Sequence, residues 1–409
     1  MGAIPKMTNG KRALIVGGSM SGLFAGLMLR QRGFDVDIHE RVAGELSGRG
    51  AGIVAQPTVI AAMQNLGIDA SGLGVEATTR QVLDIDGNVI CTFECPQILT
   101  AWERLYRILR DAFPPEHYHR GKGVRAFEQS PRSVTVHFSD GSRAEVDVLI
   151  GADGIRSSVR QQLLPNLGPL YAGYVAWRSL IAEQVVPPDI HRAVFGRMTF
   201  CLPPGEQFLS YPVAGPDNDL RPSHRRMNVI WYRPADEATE LQRLLTVEGG
   251  TVHSISIPPP LIRRAAIEEM RAAGMRLVAP QFREILKLMD EPILQPIYDL
   301  ETPQMAFGRV AIIGDAAFVA RPHVGAGVAK AADDATALVA ALMSDDVEPA
   351  LRAFEAKRLP VGRRVIEYAR HLGAYLQATR TQEEQARAGQ HSNAESVISE
   401  TALMDFLEV

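Results

Sequence analysis

Cysteine is scarce: Cys91, Cys95 and Cys201 are the only three in a chain of 409 residues. An odd number without a CxxC pair predicts neither a disulfide framework nor a zinc site, and it fits a reducing cytoplasm. Long apolar runs are missing as well. The longest uncharged apolar stretch, near 335–343, falls far short of the roughly 20 residues that a membrane-spanning helix needs. Residues 1–12 are short and polar, without the apolar segment of an export signal. A soluble, cytoplasmic protein is expected. Excess charge of one sign is also absent, since the net charge of -4 offers no cationic surface to nucleic acid or to an anionic membrane. Small molecules are the expected partners. No HExxH helix, carboxylate pair at catalytic spacing or Ser–His–Asp order stands out, so hydrolase and metalloenzyme chemistry have no support and no metal site is expected.

What is present is apolar mass: 46% of the residues are hydrophobic, enough for large cores and too much chain for one simple core. Residues 13–16 read as a buried strand, 17–22 as a glycine-rich turn, 23–31 as a helix and 35–39 as an alternating strand ending at Glu40, which together make a βαβ unit. Helices follow at 61–66, closed by Gly67, and at 105–112, ended by Pro114 and Pro115. An Asp140-Gly141 turn joins strands at 133–138 and 143–150 in a hairpin. From 171 to 303, short aromatic and β-branched runs (174–180, 199–202, 208–211, 228–232) alternate with proline-rich turns, the pattern of a separate β-sheet unit. A strand at 309–313 and a long helix at 326–343 then return the chain to α/β character.

The expected fold is therefore α/β: a discontinuous Rossmann-like domain with a parallel sheet (11–170 and 304–345), a β-sheet substrate domain (171–303) and a C-terminal helical region (346–409). Within the last, the polar stretch 382–394 is expected to be mobile.

The first turn carries chemistry. Glycines at a strand-to-helix turn admit a pyrophosphate to the helix N-terminus, and an acid at the end of the next strand binds ribose hydroxyls. Gly17, Gly22 and Gly26 fill three positions of the G-x-G-x-x-G-x-x-x-G frame, Ser19 replaces the second glycine with Gly18 beside it, and Glu40 stands at the ribose distance. Gly17, Gly18, Ser19, Ser21, Gly22, Glu40 and Arg41 are the candidate dinucleotide contacts. FAD and NAD both satisfy this frame.

Two more segments separate them. Gly151-Ala152-Asp153-Gly154-Ile155-Arg156 follows a strand, and Gly314-Asp315-Ala316-Ala317, with Pro322, Gly325 and Gly327, precedes a helix. Their order and spacing resemble the FAD-dependent aromatic hydroxylases of the p-hydroxybenzoate-hydroxylase type over nearly the whole chain. That resemblance implies non-covalent FAD as cofactor, NADH or NADPH as a transient reductant, and hydroxylation of a small electron-rich ring with O₂. It places Asp315 on the ribityl chain, Asp153 and Arg156 near the pyrophosphate and passing nicotinamide, and Pro322, Gly325 and Gly327 beside the flavin. Gly48-Arg49-Gly50-Ala51-Gly52-Ile53 matches the segment between ribose acid and flavin, so Arg49 joins the cofactor set. Trp102 stands where many members have arginine, and Ala326 where many have glutamine. The runs Tyr171 to Arg178, Ser210-Tyr211-Pro212 and Arg321-Pro322-His323 are most similar to members acting on dihydroxylated pyridines.

Beyond the cofactor, such a reaction needs a dry pocket, an oriented ring and a group favouring the ring's oxyanion. His323 and Tyr211 are the candidates, with Arg178 behind them. Each has a structural alternative: a hydrogen-bonded loop histidine, a core tyrosine, a structural arginine, and for Asp153 the cap of a helix beginning near Ile155. Another FAD oxidoreductase (epoxidase or dehydrogenase), or a non-catalytic binding protein on this fold, shares these motifs, whereas an NAD dehydrogenase accounts for the first alone. A homodimer is compatible with the sequence.

Overall fold

Strand Arg12–Val16, helix Met20–Gln31 and strand Asp35–Glu40 form the expected βαβ start, with the two strands parallel. The computed structural model describes residues 10–46 and 52–407; the 48–51 part of the glycine–arginine segment, Arg49 included, lies outside the described residues. Six strands make the first sheet, in the order Ala306–Phe307, Val310–Ile312, Val148–Gly151, Arg12–Val16, Asp35–Glu40 and Tyr118–Arg120. All pairings but the first are parallel. The central strands are buried at nearly every residue, as a parallel sheet covered on both faces requires. Helices Met20–Gln31 and Gly327–Ala341 pack together over it, so the chain does return to this layer after residue 304.

The Asp-Gly hairpin forms between Val134–Phe138 and Arg143–Val146, but the strand expected over 143–150 is two strands. It breaks at Asp147. There the backbone exchanges a hydrogen bond with Arg12 while the Asp147 carboxylate accepts the Arg12 N–H at 2.7 Å, which moves Val148–Gly151 into the parallel sheet.

The second sheet has nine strands and is antiparallel except where Met198–Cys201 runs alongside Val75–Leu83. Its members include Leu170–Ala182, Arg226–Pro234, Gln207–Val213 and Ile293–Glu301, as the aromatic runs predict. It also draws in Val75–Leu83 and Val89–Ala101, from the stretch assigned by sequence to the Rossmann-like part. Two helices, Arg264–Leu277 and Pro280–Lys287, occupy a region read as sheet and turns. They cover one face. Along Arg226–Pro234, Met227, Val229 and Trp231 join the core on that face, while Ile230 and Tyr232 join a second core with Tyr174, Tyr211 and the C-terminal helices. Both faces are buried, so period two survives as two different apolar sets rather than as apolar against polar.

The stretch expected to be mobile is helical. Thr381 and Glu384 form a reciprocal capping box that starts helix Gln382–Gln390, Asn393 caps Ala394–Glu400, and Ala388, His391, Val397 and Ile398 are buried. Among the described residues no helix is long and apolar enough to cross a membrane.

Candidate functional site

Two cavities, of about 320 and 330 Å³, meet between the sheets and share Ser19, Trp102, Ala152 and Gly154 as lining residues. The glycine loop shapes their junction. Gly17 has φ +106°, and a Cβ there would lie 2.4 Å from the Ala152 carbonyl oxygen; a Cβ on Gly22 would lie 1.9 Å from the Gly17 carbonyl oxygen. Neither position admits a side chain. Ser19 sits at the N-cap of helix Met20–Gln31 without a capping hydrogen bond, so its hydroxyl and the first free amides of the helix remain available to a ligand. The buried Glu40 receives the Gly18 N–H at 3.0 Å on one oxygen and the Val42 N–H at 2.9 Å on the other, which fixes its carboxylate at the wall of the second cavity. Arg41, exposed, lines the same cavity.

Asp153 also lines it, and caps. Its carboxylate receives the Ser157 hydroxyl and both the N–H (2.6 Å) and hydroxyl (3.0 Å) of Ser158, at the head of a helix that begins at Ser158 rather than near Ile155. Arg156 points away to the Ser256 hydroxyl at 3.1 Å.

The first cavity is floored by the second and third motifs. Gly314 has φ +60°, and a Cβ on it would lie 1.9 Å from the Ser21 oxygen, so the Gly-Asp turn interlocks with the glycine loop. Asp315, half-exposed, faces this cavity. Behind it lies a buried ion cluster that sequence reading missed: Asp334 accepts the Gly314 N–H at 3.0 Å and the Arg358 Nε–H at 2.7 Å, and Lys330 Nζ stands 3.7 Å from Asp315 and 4.0 Å from Asp334. The signal was there, because Lys330 and Asp334 are opposite charges one turn apart in an alanine-rich helix. Pro322 opens a short turn that ends on Gly325 at φ +63°, after which helix Gly327–Ala341 begins without a side-chain cap. A Cβ on Gly327 would meet nothing within 4 Å, nor would one on Gly154.

These features fit FAD. Two uncapped helix N-termini, a ribose-height carboxylate, a half-exposed carboxylate and open ground over Gly154 and Gly327 lie along one continuous pair of cavities, which matches an extended, phosphate-bearing, hydroxyl-rich ligand.

Tyr211 and Arg178 reach the first cavity on the wall that the nine-stranded sheet contributes with Met198, Leu209 and Tyr232, and His323 reaches it from the turn that Pro322 opens. His323 is 2% exposed; its Nε2 lies 2.9 Å from the Tyr174 hydroxyl, and its Nδ1 has no partner among the described residues. Burial, reinforced by the Arg321 charge, holds its pKa well below the usual 6.5. The imidazole is neutral. Burial pushes the Tyr211 phenol up to about 12, so at neutral pH it stays protonated and has an O–H to donate in a hydrogen bond. Arg178 is partly committed, its guanidinium donating to Gln295 at 2.7 Å. Behind His323, Arg321 pairs with Asp299 through Nε at 3.1 Å and Nη2 at 2.9 Å. Trp102 lines both cavities and stacks on Tyr106 at 5.1 Å.

Gln207 and Leu209 share the cavity wall with Tyr211, and residues two apart on a strand share a face, so the alternation around Tyr211 already pointed to them. Thr401 and Ala402, which close the cavity from the C-terminal end, left no local signal.

Comparison with known proteins gives two family profiles: one described as FAD binding domain-like over residues 171–299 and one as FAD binding domain over 296–369. The chain is 34% identical over 373 residues to a 2,6-dihydroxypyridine 3-monooxygenase of Paenarthrobacter nicotinovorans, covering 90% of this chain and 91% of that protein. It is 29% identical to a 3-amino-4-hydroxybenzoate 2-monooxygenase of Streptomyces cremeus, over 88% of this chain and 86% of that one. Among solved structures, 2,6-dihydroxypyridine-3-hydroxylase from Arthrobacter nicotinovorans superposes with a TM-score of 0.85 at 32% identity, covering 90% of this chain and 93% of the other.

Proposed function

The chain belongs to the FAD-dependent aromatic monooxygenases, and we propose that within this family it hydroxylates a small N-heteroaromatic ring of the dihydroxypyridine kind, with NADH or NADPH as reductant. The relative with the substantial identity acts on 2,6-dihydroxypyridine, and the observation that carries the reading to this chain is His323: a neutral, buried imidazole on a cavity-lining residue, its Nδ1 without a partner among the described residues.

In this reading Gly17, Gly18, Ser19, Ser21 and Gly22 hold the FAD pyrophosphate, Glu40 a ribose, Asp315 the ribityl hydroxyls, and Pro322, Gly325 and Gly327 the flavin ring, with Arg41 and Asp153 at the edges. Bound FAD supplies the redox chemistry of reduction and oxygen activation. The protein does the rest. With its proton on Nε2, facing Tyr174, His323 would present Nδ1 as an acceptor for a ring hydroxyl and so raise electron density at the carbon to be oxygenated. Tyr211 donates a hydrogen bond to a ring oxygen, Arg178 favours the anionic ring by its charge, and the apolar wall of Met198, Leu209 and Ile230 keeps water out.

The test is a screen of hydroxylated pyridines, pyrimidines and benzoates for stimulated NADH or NADPH oxidation, with product and hydrogen peroxide both measured. A dihydroxypyridine that yields more hydroxylated product than peroxide is the expected result. Stimulation by benzoates alone would overturn the proposed substrate class.

A further inference from the structure

Four buried polar atoms without a partner among the described residues belong to side chains lining the first cavity: Arg178 Nε, His323 Nδ1, Gln207 Nε2 and Thr401 Oγ1. A buried donor left unpaired is costly, and native proteins leave few of them except where a ligand completes the bonding. Arg178 and His323 already have roles in the proposed reaction. Gln207 and Thr401 have none.

Gln207 is 1% exposed, on strand Gln207–Val213 two residues before Leu209 and four before Tyr211. Its orientation is set from behind. The Tyr375 hydroxyl, kept protonated by burial, donates to Gln207 Oε1 at 2.7 Å. With the oxygen turned to Tyr375, the Nε2 N–H is the group left without a partner among the described residues. Thr401 comes from the other end of the chain. The fully buried Arg80 donates to the carbonyls of Ile398 at 2.8 Å and Thr401 at 2.7 Å. The next residue, Ala402, donates its N–H to the His323 carbonyl at 2.7 Å and accepts from Gln56 and Gln97, both at 3.1 Å. The Thr401 side chain is thereby held at the cavity wall with its hydroxyl unpaired.

Resting on the aromatic-hydroxylase reading, we propose that Gln207 and Thr401 form a polar clamp that selects rings bearing exocyclic oxygen acceptors, with Tyr375 as the positioning residue that makes Gln207 a donor. An oxo or oxyanion substituent satisfies the Gln207 N–H. An amino substituent of the same size presents a donor to a donor and leaves both unpaired, and a site built to hydrogen-bond a substrate group discriminates steeply against rings that fail to complete the bond.

The test is a titration of the FAD-loaded protein with 2,6-dihydroxypyridine and with 2,6-diaminopyridine, read by the flavin absorbance change, with FAD content and Tm recorded for every variant. Wild type is expected to bind the dihydroxy ring at least tenfold more tightly. Gln207→Leu should weaken that binding by about 10- to 100-fold and erase the preference; Thr401→Val should weaken it by about tenfold. Gln207→Glu, nearly isosteric and accepting, should shift preference toward the diamino ring. Tyr375→Phe should narrow the preference by freeing the amide to turn over. Wild-type affinities and preference in both Gln207→Leu and Thr401→Val would overturn the clamp and leave the aromatic-hydroxylase reading standing. If no hydroxylated ring perturbs the wild-type flavin or stimulates NAD(P)H oxidation, that reading falls and the clamp falls with it.

Discussion

His323 Nε2 and the Tyr174 hydroxyl lie 2.9 Å apart, and neither residue is more than 2% exposed. The pair joins a loop of the FAD-binding layer to a strand of the substrate sheet, and it leaves the other imidazole nitrogen as the free one.

Replacing His323 by Asn should keep FAD content nearly unchanged while hydroxylation falls by about 10²- to 10⁴-fold, the usual span for a positioned acid or base. Coupling should fall with it, so that NADH oxidation continues and hydrogen peroxide replaces product. Hydroxylation at the wild-type rate across pH 6–9 would assign His323 to the fold alone.

Asp315→Ala should leave a folded protein that loses FAD. The ribityl hydroxyls would forfeit a charged acceptor, about 1.5–3 kcal/mol, and FAD dissociation measured by fluorescence should weaken by about 10- to 150-fold. The wild-type protein should purify yellow, and heat denaturation should release its flavin, as expected for a non-covalent cofactor.

Asp334→Ala is expected to act differently, because Asp334 holds both the Gly314 N–H and the buried Arg358. Removing it takes the carboxylate from the buried Arg358 and leaves Lys330 with Asp315 alone, at a cost of about 3–5 kcal/mol, so chemical denaturation should show lost stability before any effect on FAD. A double change, Asp334→Leu with Arg358→Leu, should recover part of it. A stable Asp334→Ala protein would show the cluster to be solvated.

Acid should destabilise the protein between about pH 6.5 and 4. Burial, helped by neighbouring positive charge from His119, lowers His39 to about 4; burial lowers His391 to about 4 against the pull of Glu400; and burial with the Arg321 charge holds His323 well below its usual value. As the pH falls through 6.5 the unfolded chain takes up these protons and the folded one does not, so folding stability drops by up to about 1.4 kcal/mol per pH unit for each histidine. Guanidinium unfolding at pH 7, 5.5 and 4.5 measures the slope. A flat profile would contradict the burial of these imidazoles in solution.

The glycine loop, Glu40, the Asp153 turn and the Gly314-Asp315 turn were legible before any folding, because each is a local device: a backbone that tolerates no side chain, or an acid at a strand end, does its work within a few residues. The aromatic runs likewise announced strands, since β-branched and aromatic side chains suit a pleated surface wherever it packs. What lay beyond reach depended on long-range closure. Period two along Leu170–Ala182 and Arg226–Pro234 could not say that both faces would be buried, one by helices Arg264–Leu277 and Pro280–Lys287 and the other by the C-terminal segment. The pairing of Val75–Leu83 with Met198–Cys201 and the break at Asp147 against Arg12 were decided by partners more than a hundred residues away, and the ordering of 382–400 joins its local caps to the burial of Ala388, Val397 and Ile398 against the sheet. The same holds for the substrate wall. Tyr174 read as an ordinary strand residue and Thr401 as part of the C-terminal helical region; only tertiary packing sets Tyr174 behind His323 and brings Thr401 to the same cavity as Gln207.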